Sequence, residues 1–255
     1  MFRKTLAALA AAGLLLAAST SQADPGQHFT DFSAGMGGWE GINPWEPVPG
    51  WGTFIDNSLG QGAPALHTRV PDSFMVHWTN TTAAVTGDYT GSPQVTIGLD
   101  VNAVSIINLF TGQEVTRDLV VELRDYDNTT GGLPYTSVWF NLGTIGAGMG
   151  WQHLSVTIAD THATALPAGW GGYGAETALG EPILPAGTTF ADVLRGVDEI
   201  AFTTAVPGWF YGFTHFDVAL DNIGVSAVPE PGTWALQALG LAALVPLLRR
   251  RRRAA

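Results

Sequence analysis

Apolar and polar residues alternate along this chain in short runs, and Gly, Pro, Asn and Asp punctuate the gaps between them. A period of two puts one face of an extended strand in a core and the other outside, so the pattern predicts strands rather than helices. In Leu119–Asp125, residues 119, 121 and 123 form one apolar face while Glu122 and Arg124 point away. In Trp151–Ile158, Leu154, Val156 and Ile158 face one way and His153, Ser155 and Thr157 the other. Val95–Val104, Ser137–Leu142, Val197–Thr203 and Phe216–Val225 read alike, with fainter alternation in Phe29–Phe32, Ala65–Val70 and Phe74–Trp78. Only one helical turn stands out. Thr189-Phe190-Ala191-Asp192 has capping-box spacing, and Gly196 is placed for a left-handed C-cap after Val193-Leu194-Arg195. The whole predicts an all-β antiparallel sandwich plugged at one end by that helix.

Composition narrows the setting. Met1–Ala23 reads as a secretory signal peptide, with Arg3 and Lys4 before the apolar run Leu6–Ala18 and a small-x-small site at Ser21-Gln22-Ala23. From Asp24 to Val228, four arginines and no lysine stand against 21 Asp and Glu, a net charge near −17. Such a field repels nucleic acid and anionic lipid and attracts cations. The chain has no cysteine, so an exported domain must be held by its core without disulfides. Residues 24–228 are long enough for one large β domain, and no linker or repeat divides them.

The C-terminus has three parts: Val228-Pro229-Glu230-Pro231, an uncharged run Thr233–Leu248, and arginines at 249–253. Sixteen helical residues span about 24 Å, short of the roughly 30 Å hydrocarbon core, so residues 233–248 make a marginal transmembrane helix. The arginines would hold the end in the cytoplasm, and the two prolines keep the motif extended and open to a processing enzyme. This tail resembles a PEP-CTERM sorting signal (229–255). The resemblance implies an exosortase substrate of a Gram-negative bacterium, anchored transiently in the inner membrane and destined for the cell surface or extracellular matrix.

Two stretches resemble the ends of galactose-binding-like and laminin-G-like jelly-roll domains: Asp31-Phe32-Ser33-Ala34-Gly35-Met36-Gly37-Gly38-Trp39 and Phe216-Asp217-Val218-Ala219-Leu220-Asp221-Asn222-Ile223. The resemblance implies a jelly-roll β-sandwich over 24–228 whose first and last strands are neighbours. It also implies a structural calcium with Asp31 and Asp221 as side-chain ligands, although Ser33 stands where related modules often carry an acid. Catalytic signatures are missing from the sequence: no Cys, no Gly-x-Ser-x-Gly, no His-Glu-x-x-His and no nucleotide-type glycine loop. Asp125-Tyr126-Asp127 starts like an EF-hand, but Thr136 stands where the bidentate Glu belongs, so a polar loop is expected there. What remains is aromatic. Trp170 with Tyr173, and Trp209-Phe210-Tyr211, lie in Gly/Pro-rich stretches expected to be loops, where rings stack on sugar C–H faces and polar neighbours bind hydroxyls. The leading expectation is therefore a non-catalytic domain binding polysaccharide at Trp170, Tyr173, Trp209 and Tyr211. A purely structural or adhesive matrix protein and a polysaccharide-degrading hydrolase are the alternatives.

Overall fold

The computed structural model describes residues 27–42, 49–62, 64–129 and 132–228. The expected signal peptide (1–23) and the expected sorting segment (229–255) lie outside the described residues, of which Val228 is the last. Among the described residues, fourteen strands follow in chain order, beginning with β1 (Gln27–Thr30), β2 (Trp39–Gly41), β3 (Gly52–Asp56), β4 (Ala65–Ser73), β5 (His77–Asn80), β6 (Gln94–Asn108) and β7 (Arg117–Asp125). Then come β8 (Thr136–Ile145), β9 (Gln152–Ile158), β10 (Trp170–Tyr173), β11 (Ala175–Glu176), β12 (Pro182–Ile183), helix α1 (Phe190–Arg195), β13 (Glu199–Thr203) and β14 (Thr214–Val228).

They build an antiparallel jelly-roll β-sandwich. Sheet one runs β3-β4-β14-β6-β9, with β1 also on β14; sheet two runs β10-β8-β7-β13-β5-β2. The first and last strands are neighbours, as the resemblance implied, with Thr30 opposite Ile223. The alternation assigns the faces: Leu119, Val121, Leu123, Ile200 and Phe202 of sheet two meet Leu66, Ile97, Leu99, Phe216 and Val218 of sheet one in one core. Trp78 is fully buried, and its indole N–H donates to Thr68 Oγ1 at 2.7 Å, satisfying the one polar atom its burial would strand.

Simple alternation fails at register shifts, two of which fall on the β6–β14 pair. β14 buries Phe216, Val218 and Leu220, then shifts register against β6 between Asp221 and Gly224, and buries Ile223, Val225 and Ala227. Asn222 takes the left-handed backbone there, with φ 50°, a conformation Asn tolerates better than most residues. β6 likewise slips at Val104, which is left 47% exposed, and resumes core burial at Ile106. The first strand lies two residues earlier than Phe29–Phe32: it runs Gln27–Thr30, and Phe32, with φ 60°, turns its ring into the core. Helix α1 has the expected capping box, Thr189 accepting from Asp192 N–H and Asp192 from Thr189 N–H. Gly196 is not left-handed as expected (φ −128°); a Cβ there would lie 3.2 Å from Asp125 Oδ2, so close approach explains the glycine.

Candidate functional site

The outward face of sheet two carries the densest polar and aromatic array. Register places Tyr173, Ser137, Arg124 and Glu199 in one row across β10, β8, β7 and β13. The next row runs Gly171, Trp139, Glu122, Ala201 and Thr79. Arg124 sits at the centre. Its Nε and Nη2 donate to Glu122 Oε2 at 2.8 and 2.6 Å, its Nη1 donates to Glu199 Oε1, and its guanidinium lies 4.8 Å from the Tyr135 ring centre. The Glu122 and Glu199 charges hold the guanidinium proton more tightly than usual despite burial, which works in the opposite direction. Glu122 is 1% exposed, and its other oxygen accepts from Ser137 Oγ at 2.6 Å.

Three tyrosines crowd around this pair. Tyr126 and Tyr135 rings are 5.5 Å apart, Tyr135 and Tyr173 5.0 Å. Tyr126 Oη donates to Glu199 Oε1 at 3.2 Å. Burial, then the Glu122 charge, pushes the Tyr135 and Tyr173 phenols up, so both stay neutral donors. His77, on the same face, is held below the ordinary imidazole value by burial and by Arg124, which keeps it neutral. The Trp139 indole packs against Gly171, where a Cβ would come within 2.2 Å of it, and its Nε1–H is buried without an acceptor. The face therefore offers aromatic surface, neutral hydroxyls and one compensated charge cluster. Glu122 has both oxygens engaged, which suits a positioning carboxylate rather than a proton donor to substrate. Sequence reasoning found only Tyr173 here; Tyr126, Tyr135, Arg124 and Glu199 converge from separate segments.

The other aromatic candidates divide. Trp170 and Tyr173 are in strand β10, not a loop. Trp170 is 9% exposed and seated between Phe140 and Phe190, with centroids at 5.5 and 5.1 Å, so its ring serves the core. Trp209 is 69% exposed on the loop after β13. Its neighbour Phe210 meets Phe74 at a tilt, with centroids 4.8 Å apart, and Phe74 also meets Phe213, giving an aromatic tip. Tyr211 lies under the Arg117 guanidinium, 5.3 Å from its ring centre.

Asp31 and Asp221 come to the same corner through the β1–β14 pairing, with Asp100 opposite Asp221. Asp221 is 3% exposed; burial, and the charges of Asp100 and Asp31, push its carboxyl up against the pull of N–H donors from Gln61 and Asn222. Asp31 Oδ1 accepts from Ser33 N–H and Oγ–H, a turn that makes use of the serine. Among the described residues, no three His, Asp or Glu side chains form a ready metal cage. The Asp125 loop is a polar turn as expected: Asp125 is buried and accepts from the N–H groups of Asp127 and Asn128. On the outward face of sheet one, His67 bridges Asp56 (3.0 Å) and Asp217 (2.6 Å), and Arg69 pairs with Asp217.

No family model and no curated protein matches the chain. Among solved structures it is similar to the family 11 carbohydrate-binding module of the Clostridium thermocellum cellulase Lic26A-Cel5E, at TM-score 0.46 and 13% identity over 80% of this chain and 96% of that one. The C-terminal family 22 carbohydrate-binding module of Clostridium thermocellum Xyn10B gives 0.42 and 11% over 80% and 96%. An exo-beta-agarase gives 0.43 and 10%, covering 79% of this chain but 25% of that one.

Proposed function

We propose that this chain is an exported, non-catalytic polysaccharide-binding domain whose glycan lies across the outward face of sheet two. The observation that carries this reading is the Tyr126–Tyr135–Tyr173 cluster around the Arg124–Glu122–Glu199 group. Ring faces suit pyranose C–H groups, while neutral phenols and His77 suit hydroxyls. The loop bearing Trp209 and Tyr211 leaves β13 at the other end of the same sheet and would extend the site. Titration against a panel of neutral and acidic polysaccharides tests it. Binding should be lost in a Tyr135→Ala/Tyr173→Ala variant that still melts cooperatively; undiminished affinity there would place the site elsewhere. A Trp209→Ala/Tyr211→Ala variant separates the two ends.

Export and processing belong to the same proposal, supported by the sequence at both ends. Cleavage by an exosortase near Val228–Pro231 predicts a surface-released product whose mass ends between Val228 and Gly232; an intact 249–253 arginine cluster on that product would contradict it. A structural calcium at Asp31 and Asp221 is supported by the raised proton affinity of Asp221 beside Asp100, which a cation would relieve. An adhesive matrix role is a second reading, favoured by the exposed tip of Phe74, Phe110, Trp209 and Phe210.

A further inference from the structure

Among the described residues the lateral edges of the two sheets are treated unequally. β2 is three residues long and carries Glu40; β1 has four residues. β3 carries Asp56, and its Thr53 hydroxyl is tied to Ile42 O. β10 has four residues, and Leu184 lies so close to Gly172 that a Cβ there would come within 2.6 Å of it. Short, charged or covered strands are how proteins keep sheet edges from pairing with another chain.

β9 has none of these devices. Its seven residues pair with β6 in unbroken register from Val95–Ile158 to Val101–Gln152, and no other strand among the described residues pairs with it. Every second residue therefore turns its N–H and C=O away from β6. Gln152–Ile158 contains no Asp, Glu, Lys, Arg or Pro, in a body whose charge is near −17. A cleft of about 690 Å³ runs beside it, lined mostly by apolar residues such as Phe140, Val156, Leu166 and Trp170, with Asp160 also among its walls.

We propose that β9 is a self-association edge, on which a second copy of this chain docks its own β9, antiparallel about a two-fold axis through Ser155. The sequence of β9 is self-complementary in that register. Leu154 meets Val156 of the second copy on the core side, and His153 meets Thr157 on the outer side, so apolar faces apolar and polar faces polar. A two-fold contact requires such a self-matching surface. In a strongly acidic molecule, association is favoured where no carboxylates confront each other, and β9 is such a place. The adjoining cleft then receives apolar side chains carried by the incoming edge. This contact leaves the outward face of sheet two open and is independent of the glycan reading.

Light scattering and sedimentation equilibrium on the full chain in detergent test the proposal, with near-ultraviolet circular dichroism as the check on folding. The wild type is expected at twice the protomer mass, falling toward the protomer on dilution. Ser155→Lys and Ser155→Glu each set like charges opposite one another and are expected as folded monomers. Mixing the two variants is expected to restore the dimer, because the lysine introduced in one would then face the glutamate introduced in the other. Amides of β9 that do not bond to β6 should exchange slowly in the dimer and fast in either variant alone. A monomeric wild type, dimers that persist in Ser155→Lys, or a mixture that fails to associate would each overturn the inference.

Discussion

Replacing Arg124 by Met removes the cation paired with Glu122, a carboxylate left 1% exposed. The two residues form a 2.6 Å pair with a second donated bond at 2.8 Å, and Glu122 has no solvent to turn to. Breaking one side of a buried pair costs about 3–5 kcal/mol, because an uncompensated charge remains. For a domain of this size that is roughly 6–20 °C in melting temperature. Removing both charges together behaves differently. In Glu122→Leu/Arg124→Met the fully buried carboxylate goes with its partner, and the losses reduce to the Ser137 hydroxyl's acceptor and the cation beside Glu199, which is 13% exposed and keeps the Tyr126 hydroxyl as donor, about 1–2 kcal/mol. The double variant should therefore be more stable than Arg124→Met alone. Urea unfolding with a shared slope measures the cycle, and a coupling of about 2 kcal/mol or more is expected. A loss under about 1 kcal/mol for Arg124→Met, or single losses that simply add, would refute the claim that this pair is buried and interdependent.

Burial separates two tryptophans of identical chemistry: Trp170→Ala should cost about 3–5 kcal/mol, whereas Trp209→Ala should stay within about 0.5 kcal/mol in the same melt. Gly171→Ala should displace the Trp139 indole, cost about 1–3 kcal/mol and shift tryptophan emission, since a Cβ there would sit 2.2 Å from the ring. His67 is raised by its hydrogen bonds to Asp217 and Asp56, which outweigh its burial, so its contribution is complete below the unfolded imidazole value and fades as pH rises through the folded one. Asp56, held at about 2 by Ser58 first and His67 after it, contributes above the usual carboxylate value and fails only as pH falls toward 2. The stability gap between wild type and His67→Gln should thus be wide at about pH 5 and narrow at about pH 9; a gap that ignores pH contradicts the bridge. Millimolar calcium should raise the melting temperature of the wild type but not of Asp221→Asn, and no wild-type shift would sink the calcium proposal.

Several features were written locally and so could be read locally. Period-two alternation located β6, β7, β8, β9, β13 and β14, because side chains on a strand must alternate between core and outside. The Thr189–Asp192 capping box is four consecutive residues closing on themselves, and it formed as spelled. Short strands were harder: β2 and β10 have three and four residues, too few for a period to show.

What the sequence could not display was convergence. Tyr126 and Tyr135 flank a loop, Tyr173 lies on an edge strand, and Glu199 follows the helix; only the order of strands in sheet two brings them onto Arg124. The bulges at Val104 and Asn222 reset which residues face inward, and a bulge is visible only against the partner strand. Trp170 and Trp209 look alike as letters, and one became core and the other surface through contacts made by residues far away in the chain. The sequence by itself determined the longer strands, most of their inward faces and the acidic character of the body. Tertiary structure alone decided which side chains share the outward face of sheet two, because pairing residues distant in the chain is a property of register and sheet order.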